Sequence, residues 1–290
     1  MSELRLAFIG LGNMGGPMAA NIAAAAFDLT CFDAAGTAQS LPEGATAASS
    51  VDDVWAAADT VFLSLPDGHI VLDVVDSLVA AHARATTVVI DLSTVGPETA
   101  QNASGRLAPL EVTYVDGPVS GGRAGALAGT ISLMFGGPTE ILDAHRPVFE
   151  AFAGNVFNCG EQAGQGQAMK LLNNFLSATA LAATSEAAAY GMAQGLELSQ
   201  IIDVLNVSTG RNSATHDKFP NRVLTGSYDS GFHTRLMTKD VELLMASAGH
   251  ADTEVDVVRA VLDVWQRADE AMPGSDFTEI WKYVSGAIDG

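Results

Sequence analysis

Several groups of residues in this chain have the types and spacing to do chemistry. The first is Gly10-Leu11-Gly12-Asn13-Met14-Gly15, set between an apolar run and an alanine-rich stretch. In a strand–turn–helix setting Gly10 permits the tight turn, Gly12 lets the backbone approach a pyrophosphate, and Gly15 lets helix and strand pack closely. The N–H groups opening the helix present a partial positive charge to the phosphates. Asp33 closes the next apolar run, where a carboxylate accepts hydrogen bonds from adenosine ribose hydroxyls. It also repels a 2′-phosphate, and Ala34-Ala35-Gly36-Thr37 contains no arginine to receive one. The motif points to NAD in preference to NADP; outside that setting it would be an ordinary glycine turn.

The second group is Asp116-Gly-Pro-Val-Ser120-Gly121-Gly122. Successive N–H groups in a glycine-rich turn form an anion-binding nest. Ser120, Gly121 and Gly122 could therefore hold a carboxylate without a fixed positive charge, or simply make a loop turn. The third is Lys170, four residues before Asn174 in a nearly uncharged helical stretch, which puts both on one face. Alcohol oxidation by hydride transfer needs a base for the hydroxyl proton. Burial, or a second cation, moves a lysine toward the neutral form that can serve; the alternative is a lysine that snorkels to the surface. Lys239, beside Asp240 and ahead of an apolar run, reads as that second cation or as a surface charge at a helix start. His69, His82, His145, His216, His233 and His250 show no HxH or HExxH spacing and there is no CxxC, so no metal site is expected.

The elements that must position these residues fall into two patterns. Strands are expected over residues 4–9, 29–32, 60–65, 87–92, 112–115 and 130–135, alternating with helices that include 14–26 and 144–152. Such alternation implies crossover units and a mostly parallel sheet. After about Cys159 the pattern turns helical. Residues 164–191 lack proline and would form a helix of roughly 40 Å. Its apolar circumference suggests burial on several sides. Further helices are expected over 198–207, 239–249, 252–271 and 277–287. The fold class expected is an α/β Rossmann-type dinucleotide-binding domain, residues 1–162, followed by an all-α domain, residues 163–290, entered by a long interdomain helix.

The run GLGNMGGPMAANIA, from Gly10 to Ala23, resembles the start of the β-hydroxyacid dehydrogenases. DGPVSGG at 116–122, GQGQAMKLLNN at 164–174 and LMTKD at 236–240 match in order, so the resemblance covers nearly the whole chain. It implies NAD as cofactor, a small anionic hydroxy acid as substrate, and a helical substrate and oligomerisation domain. It implies that Ser120, Gly121 and Gly122 hold the substrate carboxylate and that Asn174 hydrogen-bonds the substrate. Lys170 would be general base in oxidation and general acid in reduction, with Lys239 beside nicotinamide and substrate. Leu65, Pro66 and Ile70 would lie along the cofactor and Thr94 beside the nicotinamide ribose, at strand carboxyl ends.

Family members that take 3-hydroxyisobutyrate usually carry an aromatic residue after an arginine that here opens Arg211-Asn212-Ser213-Ala-Thr-His216. This polar run favours a more polar 3-hydroxy acid. Tartronate semialdehyde or glyoxylate reduction is the alternative, as is 3-hydroxyisobutyrate itself. 6-Phosphogluconate dehydrogenase has a longer helical domain, and imine reductases lack the lysine. A non-catalytic NAD-binding sensor would need none of Lys170, Asn174 and Lys239.

Composition narrows the partners. Of 290 residues 48% are hydrophobic and 17% charged, ample for a core and unlike a disordered chain. A net charge of −20 repels nucleic acid and anionic membranes and makes an anionic substrate depend on one of 14 Lys and Arg. Cys31 and Cys159 are expected to be reduced, buried thiols in a cytoplasmic protein. No apolar stretch reaches the ~18 residues of a membrane span. The N-terminal apolar run, broken by glycines and without a basic start, is not expected to be a signal peptide. A long, sparsely charged helix needs apolar cover, which predicts a homodimer or homotetramer.

Overall fold

The computed structural model describes residues 4–251 and 253–287. Nine strands form one sheet among them: β1 (Leu6–Ile9), β2 (Leu29–Phe32), β3 (Thr46–Ala47), β4 (Thr60–Leu63), β5 (Val88–Asp91), β6 (Thr113–Asp116), β7 (Val119–Ser120), β8 (Ile131–Gly136) and β9 (Ala153–Gly160). The order is β3-β2-β1-β4-β5-β6-β8-β7, with β9 also on β8. From β3 to β6 every pairing is parallel, and β8 joins β6 and β7 antiparallel. The first six follow the doubly wound order 3-2-1-4-5-6.

Successive side chains of a strand point to opposite faces, and here both faces are apolar. Leu6, Phe8, Phe62, Val88 and Ile90 enter one core. Ala7, Ile9, Val61, Leu63 and Val89 enter the other. Helices therefore cover both sides, as a parallel sheet requires. On the first face Phe8 stacks on Phe62 at 6.0 Å, and Phe149 and Phe152 meet Phe62 edge-on.

The chain divides into two compact units, Met1–Lys170 and Leu171–Gly290. The division falls inside the long helix Gln165–Ala193, and the expected boundary at 162/163 lies just ahead of that helix. The second unit is helical and packs around Trp265, Phe219, Phe277 and Trp281, with the Trp265 indole N–H donating to the Ala178 carbonyl.

Several expectations need correction. The strands β3, β7 and β9 were not anticipated; β3 and β7 are two residues long, and β9 is a largely exposed edge containing Gly154, Asn155 and Asn158, residues poor in strand signal. The expected helix at 239–249 begins earlier, as Thr234–His250. The expected start at residue 252 lies outside the described residues, and the helix there runs Asp256–Ala271. A wide π-type helical segment, Ala214–Val223 with Pro220 inside it, lies between the helices expected at 198–207 and 239–249, where no element was expected. The long helix is not buried on several sides of its own chain, because Leu172, Leu176, Tyr190 and Met192 are exposed. Of the cysteines only Cys31 is buried, and burial pushes its thiol up to about 12. No helix among the described residues is long and apolar enough to cross a membrane.

Candidate active site

Strand order reverses between β1 and β4, where open α/β sheets bind ligands at the strand carboxyl ends. The glycine turn lies there. Gly10 has φ +95°, and a Cβ on it would collide with the Ser64 carbonyl after β4. One on Gly15 would collide with the Gly10 carbonyl. Above Gly12, by contrast, no protein atom lies within 4 Å of an added Cβ. Packing explains two of the glycines; the third faces an open cradle of the kind a pyrophosphate fills. The helix Gly15–Ala24 starts at Met14 without a capping side chain; Gly16 donates its N–H to the Gly12 carbonyl and Pro17 has none, which leaves the Gly15 N–H and those of the turn ahead of it for an anion. Leu11 is buried, while Gly12 and Asn13 are exposed. These residues fit the dinucleotide expected.

Asp33 is half-buried and already engaged. Its Oδ2 accepts the Leu11 N–H at 2.6 Å and its Oδ1 the Ala35 N–H at 2.8 Å. A carboxylate offers about four acceptor sites, so ribose hydroxyls can still be received. The carboxylate thus also ties the glycine turn to β2, a task invisible in the sequence. Leu65 donates its N–H to Ser93 Oγ at 2.8 Å, joining the ends of β4 and β5. Thr94, next in chain, is half-buried. Pro66 is exposed, as is Ile70 in the first turn of the helix Gly68–Ala80, where Asp67 caps its N–H.

Ser120 ends β7, and Gly121 and Gly122 follow with φ of +133° and +62° before a short helix, Gly122–Ala128. Two consecutive positive φ values are affordable only to glycine. Both glycines are exposed, so the turn stands open as the nest expectation requires. Asp116, at the end of β6, is fully buried and holds the start of the long helix. Its carboxylate accepts N–H groups from Gly164 and Gln167, both at 2.6 Å. Burial pushes it up to about 7 against those two bonds, and Asp91, its partner in register, pushes the same way. Asp91 accepts the Tyr114 hydroxyl at 2.7 Å.

Lys170 is 8% exposed and Asn174 6%. Neither is a snorkelling surface group, and the two share one face a turn apart. In the second unit Asn174 Nδ2 donates to Asp240 Oδ2 at 2.6 Å, and Lys239 Nζ lies 3.4 Å from Asp240 Oδ1. The carboxylate, 3% exposed, gathers two of the expected site residues. Lys239 does not sit at a helix start, as expected, but beyond the first turn of Thr234–His250, and its charge faces a carboxylate. The signal for Asp240 was its adjacency to Lys239; Gln167 and Asp116 lay inside quoted motifs but carried no assigned role.

The polar run after Arg211 also has a local explanation. Asn212 Oδ1 accepts the N–H groups of Ala214 and Thr215, and its Nδ2 donates to the Gly210 carbonyl and Thr184 Oγ1. Thr215 is buried. Arg211, Ser213 and His216 remain exposed. Two of the polar residues therefore hold the backbone, which removes much of the case they made for a polar substrate. Among the described residues no three His, Cys, Asp or Glu are grouped to hold a metal ion.

Residues 5–160 match the family model for the NAD binding domain of 6-phosphogluconate dehydrogenase. Residues 164–284 match the NAD-binding family of NADP-dependent 3-hydroxyisobutyrate dehydrogenase. The chain is 36% identical to a 3-hydroxyisobutyrate dehydrogenase of Pseudomonas aeruginosa, over 97% of this chain and 98% of that one. It is 38% identical to an NAD-dependent L-serine dehydrogenase of the same organism, over 84% and 85%. Among solved structures, 3-hydroxyisobutyrate dehydrogenase of Mycobacterium tuberculosis with L-serine superposes with a TM-score of 0.91 at 32% identity, covering 97% of this chain and 99% of that one.

Proposed function

The chain belongs to the β-hydroxyacid dehydrogenase family, NAD-dependent oxidoreductases acting on hydroxyl groups, and from that premise we propose that it oxidises a short 3-hydroxy carboxylate reversibly at Lys170. The observation that carries the reading is a lysine held 8% exposed in a nearly uncharged helix. Such a group is expensive to bury without purpose. NAD, when bound, accepts the hydride from the substrate's hydroxyl-bearing carbon.

The residues have separate tasks in this reading. Gly10, Leu11, Gly12, Asn13, Met14 and Gly15 cradle the pyrophosphate, and Asp33 receives the adenosine ribose and disfavours a 2′-phosphate. Leu65, Pro66, Ile70 and Thr94 flank the cofactor, with Lys239 at its nicotinamide end. The N–H groups of Ser120, Gly121 and Gly122 hold the substrate carboxylate. Lys170 takes the hydroxyl proton in oxidation and returns it in reduction. Asn174 and Lys239, both fixed by Asp240, contact the substrate. Residues 1–162 are the NAD-binding domain and 163–290 the substrate and oligomerisation domain.

The substrate proposed is a three-carbon hydroxy acid with a small substituent beside the carboxylate. Relatives named for 3-hydroxyisobutyrate and for L-serine support that size, as does a capping role for Asn212 that leaves substrate polarity open. The exposed stripe Leu172, Leu176 and Tyr190 supports a homodimer or homotetramer, and the chain is read as cytoplasmic. NADH formation from a panel of 3-hydroxyisobutyrate, L-serine, glycerate and 3-hydroxypropionate in mildly alkaline buffer tests the reading. Turnover of at least one is expected; none, with NADH failing to bind, would overturn it.

A further inference from the structure

We propose that Gln167 is a positioning residue for this reaction, locking the loop that carries Thr94 to the helical turn that carries Lys170; the inference rests on the dehydrogenase reading above. Gln167 is completely buried, and its whole amide is committed to one short segment. Oε1 accepts the N–H groups of Val95 at 3.0 Å and Gly96 at 3.1 Å, and Nε2 donates to the Ser93 carbonyl at 2.8 Å. These bonds bracket Thr94 on both sides. The clamp extends through Ser93 Oγ to the Leu65 N–H, so the ends of β4 and β5 move with it.

The other end of Gln167 is equally fixed. Its backbone N–H donates to the buried Asp116 carboxylate, which also takes the Gly164 N–H. Lys170 follows three residues later, one turn along the same helical face, and is also buried. A side chain needed only to fill space would not require an amide here. An apolar replacement would leave the Val95 and Gly96 N–H groups buried without acceptors. Gln167 therefore sets the register between a proton-handling group and the strand ends proposed to flank the nicotinamide. A misplacement of about 1 Å between reacting groups can cost on the order of 100-fold in rate.

The adenosine half of the cofactor is assigned to Gly10–Gly15 and Asp33, which Gln167 does not touch, and this separates positioning from general stability. NADH and ADP-ribose, which lacks the nicotinamide, are titrated by fluorescence and calorimetry into wild type, Q167M and Q167E. In Q167M the Kd for NADH should rise at least about fivefold, the Kd for ADP-ribose should stay within about twofold, and kcat should fall roughly 10- to 100-fold with little change in substrate KM. Q167E keeps an acceptor for Val95 and Gly96 and should fall between wild type and Q167M; it carries the comparison if Q167M does not fold. Equal loss of NADH and ADP-ribose, or loss of neither, would overturn the positioning role while leaving the dehydrogenase reading intact. Failure of the wild type to bind NADH would overturn both.

Discussion

Asp33 holds the Leu11 and Ala35 N–H groups and is proposed to receive the ribose with the same carboxylate, and its variants should separate the two tasks. NAD should be preferred to NADP by at least about tenfold in kcat/KM, a demand of about 1.4 kcal/mol on carboxylate–phosphate repulsion. Asp33→Asn should narrow that ratio, and kinetics with both cofactors will show it; an NADP preference in the wild type would refute this role. Asp116 makes a pH prediction. Its carboxyl titrates at about 7 in the folded protein, well above the ordinary range, because burial opposes the charge. A raised folded value favours the protonated native form, so this stabilisation is complete in acid and is lost as pH rises through about 7. The loss is on the order of a few kcal/mol at most. Thermal stability of wild type should fall as pH rises from ~4 to ~7 and level off above that, and Asp116→Asn should flatten that slope whatever its absolute Tm; equal slopes would contradict it. At this scale the strand–turn–helix setting of the glycines, the place of Asp33 after β2 and the helical face shared by Lys170 and Asn174 were legible, because each follows from residue type and local spacing. Gln167 and Asp240 were not, since their partners lie far along the chain, at Ser93–Gly96 and Asn174.

Among the elements, the helix Thr234–His250 matters for what it holds in place. Asp240 receives Asn174 on one oxygen and faces Lys239 with the other. Asp240→Asn keeps an acceptor for Asn174 but removes the charge opposite Lys239. The KM for the hydroxy acid should rise roughly tenfold, the loss of one charge-assisted contact, with the Kd for NADH within about twofold. A parallel loss of NADH binding would show that the carboxylate serves the fold more than the substrate. The central strands β1, β2, β4, β5, β6 and β8 were legible from apolar runs buried on both faces. The edge strand β9 was not, because half-polar exposed edges lack that run. The helix start at Thr234 was missed because His233 provides no side-chain cap, and the segment Ala214–Val223 because it tolerates an internal proline.

For the whole molecule, the exposed side of the long helix sets an expectation. Leu176 and Tyr190 are 65% and 69% exposed, and Leu172 lies on the same side of the helix. Apolar surface of that kind marks an interface in a soluble protein. Light scattering after size exclusion should give at least twice the monomer mass at micromolar concentration, and Leu176→Glu should shift it toward monomer; a monomeric wild type would refute the interface. The two-unit organisation was legible from the change of pattern near Cys159, whereas the incomplete cover of the long helix was not, because composition alone does not say which face a neighbour takes. The most direct measurement for the whole enzyme is kcat for Lys170→Ala on the best substrate, alongside NADH binding. Loss of a positioned acid–base group should lower kcat by about 10²–10⁴, with NADH affinity nearly unchanged because Gly10, Gly12, Gly15 and Asp33 hold it. Lys170→Arg should not restore turnover, since a guanidinium does not release its proton in a protein. A Lys170→Ala enzyme that keeps more than about a tenth of wild-type kcat would contradict the assignment of Lys170 as the group that moves the proton.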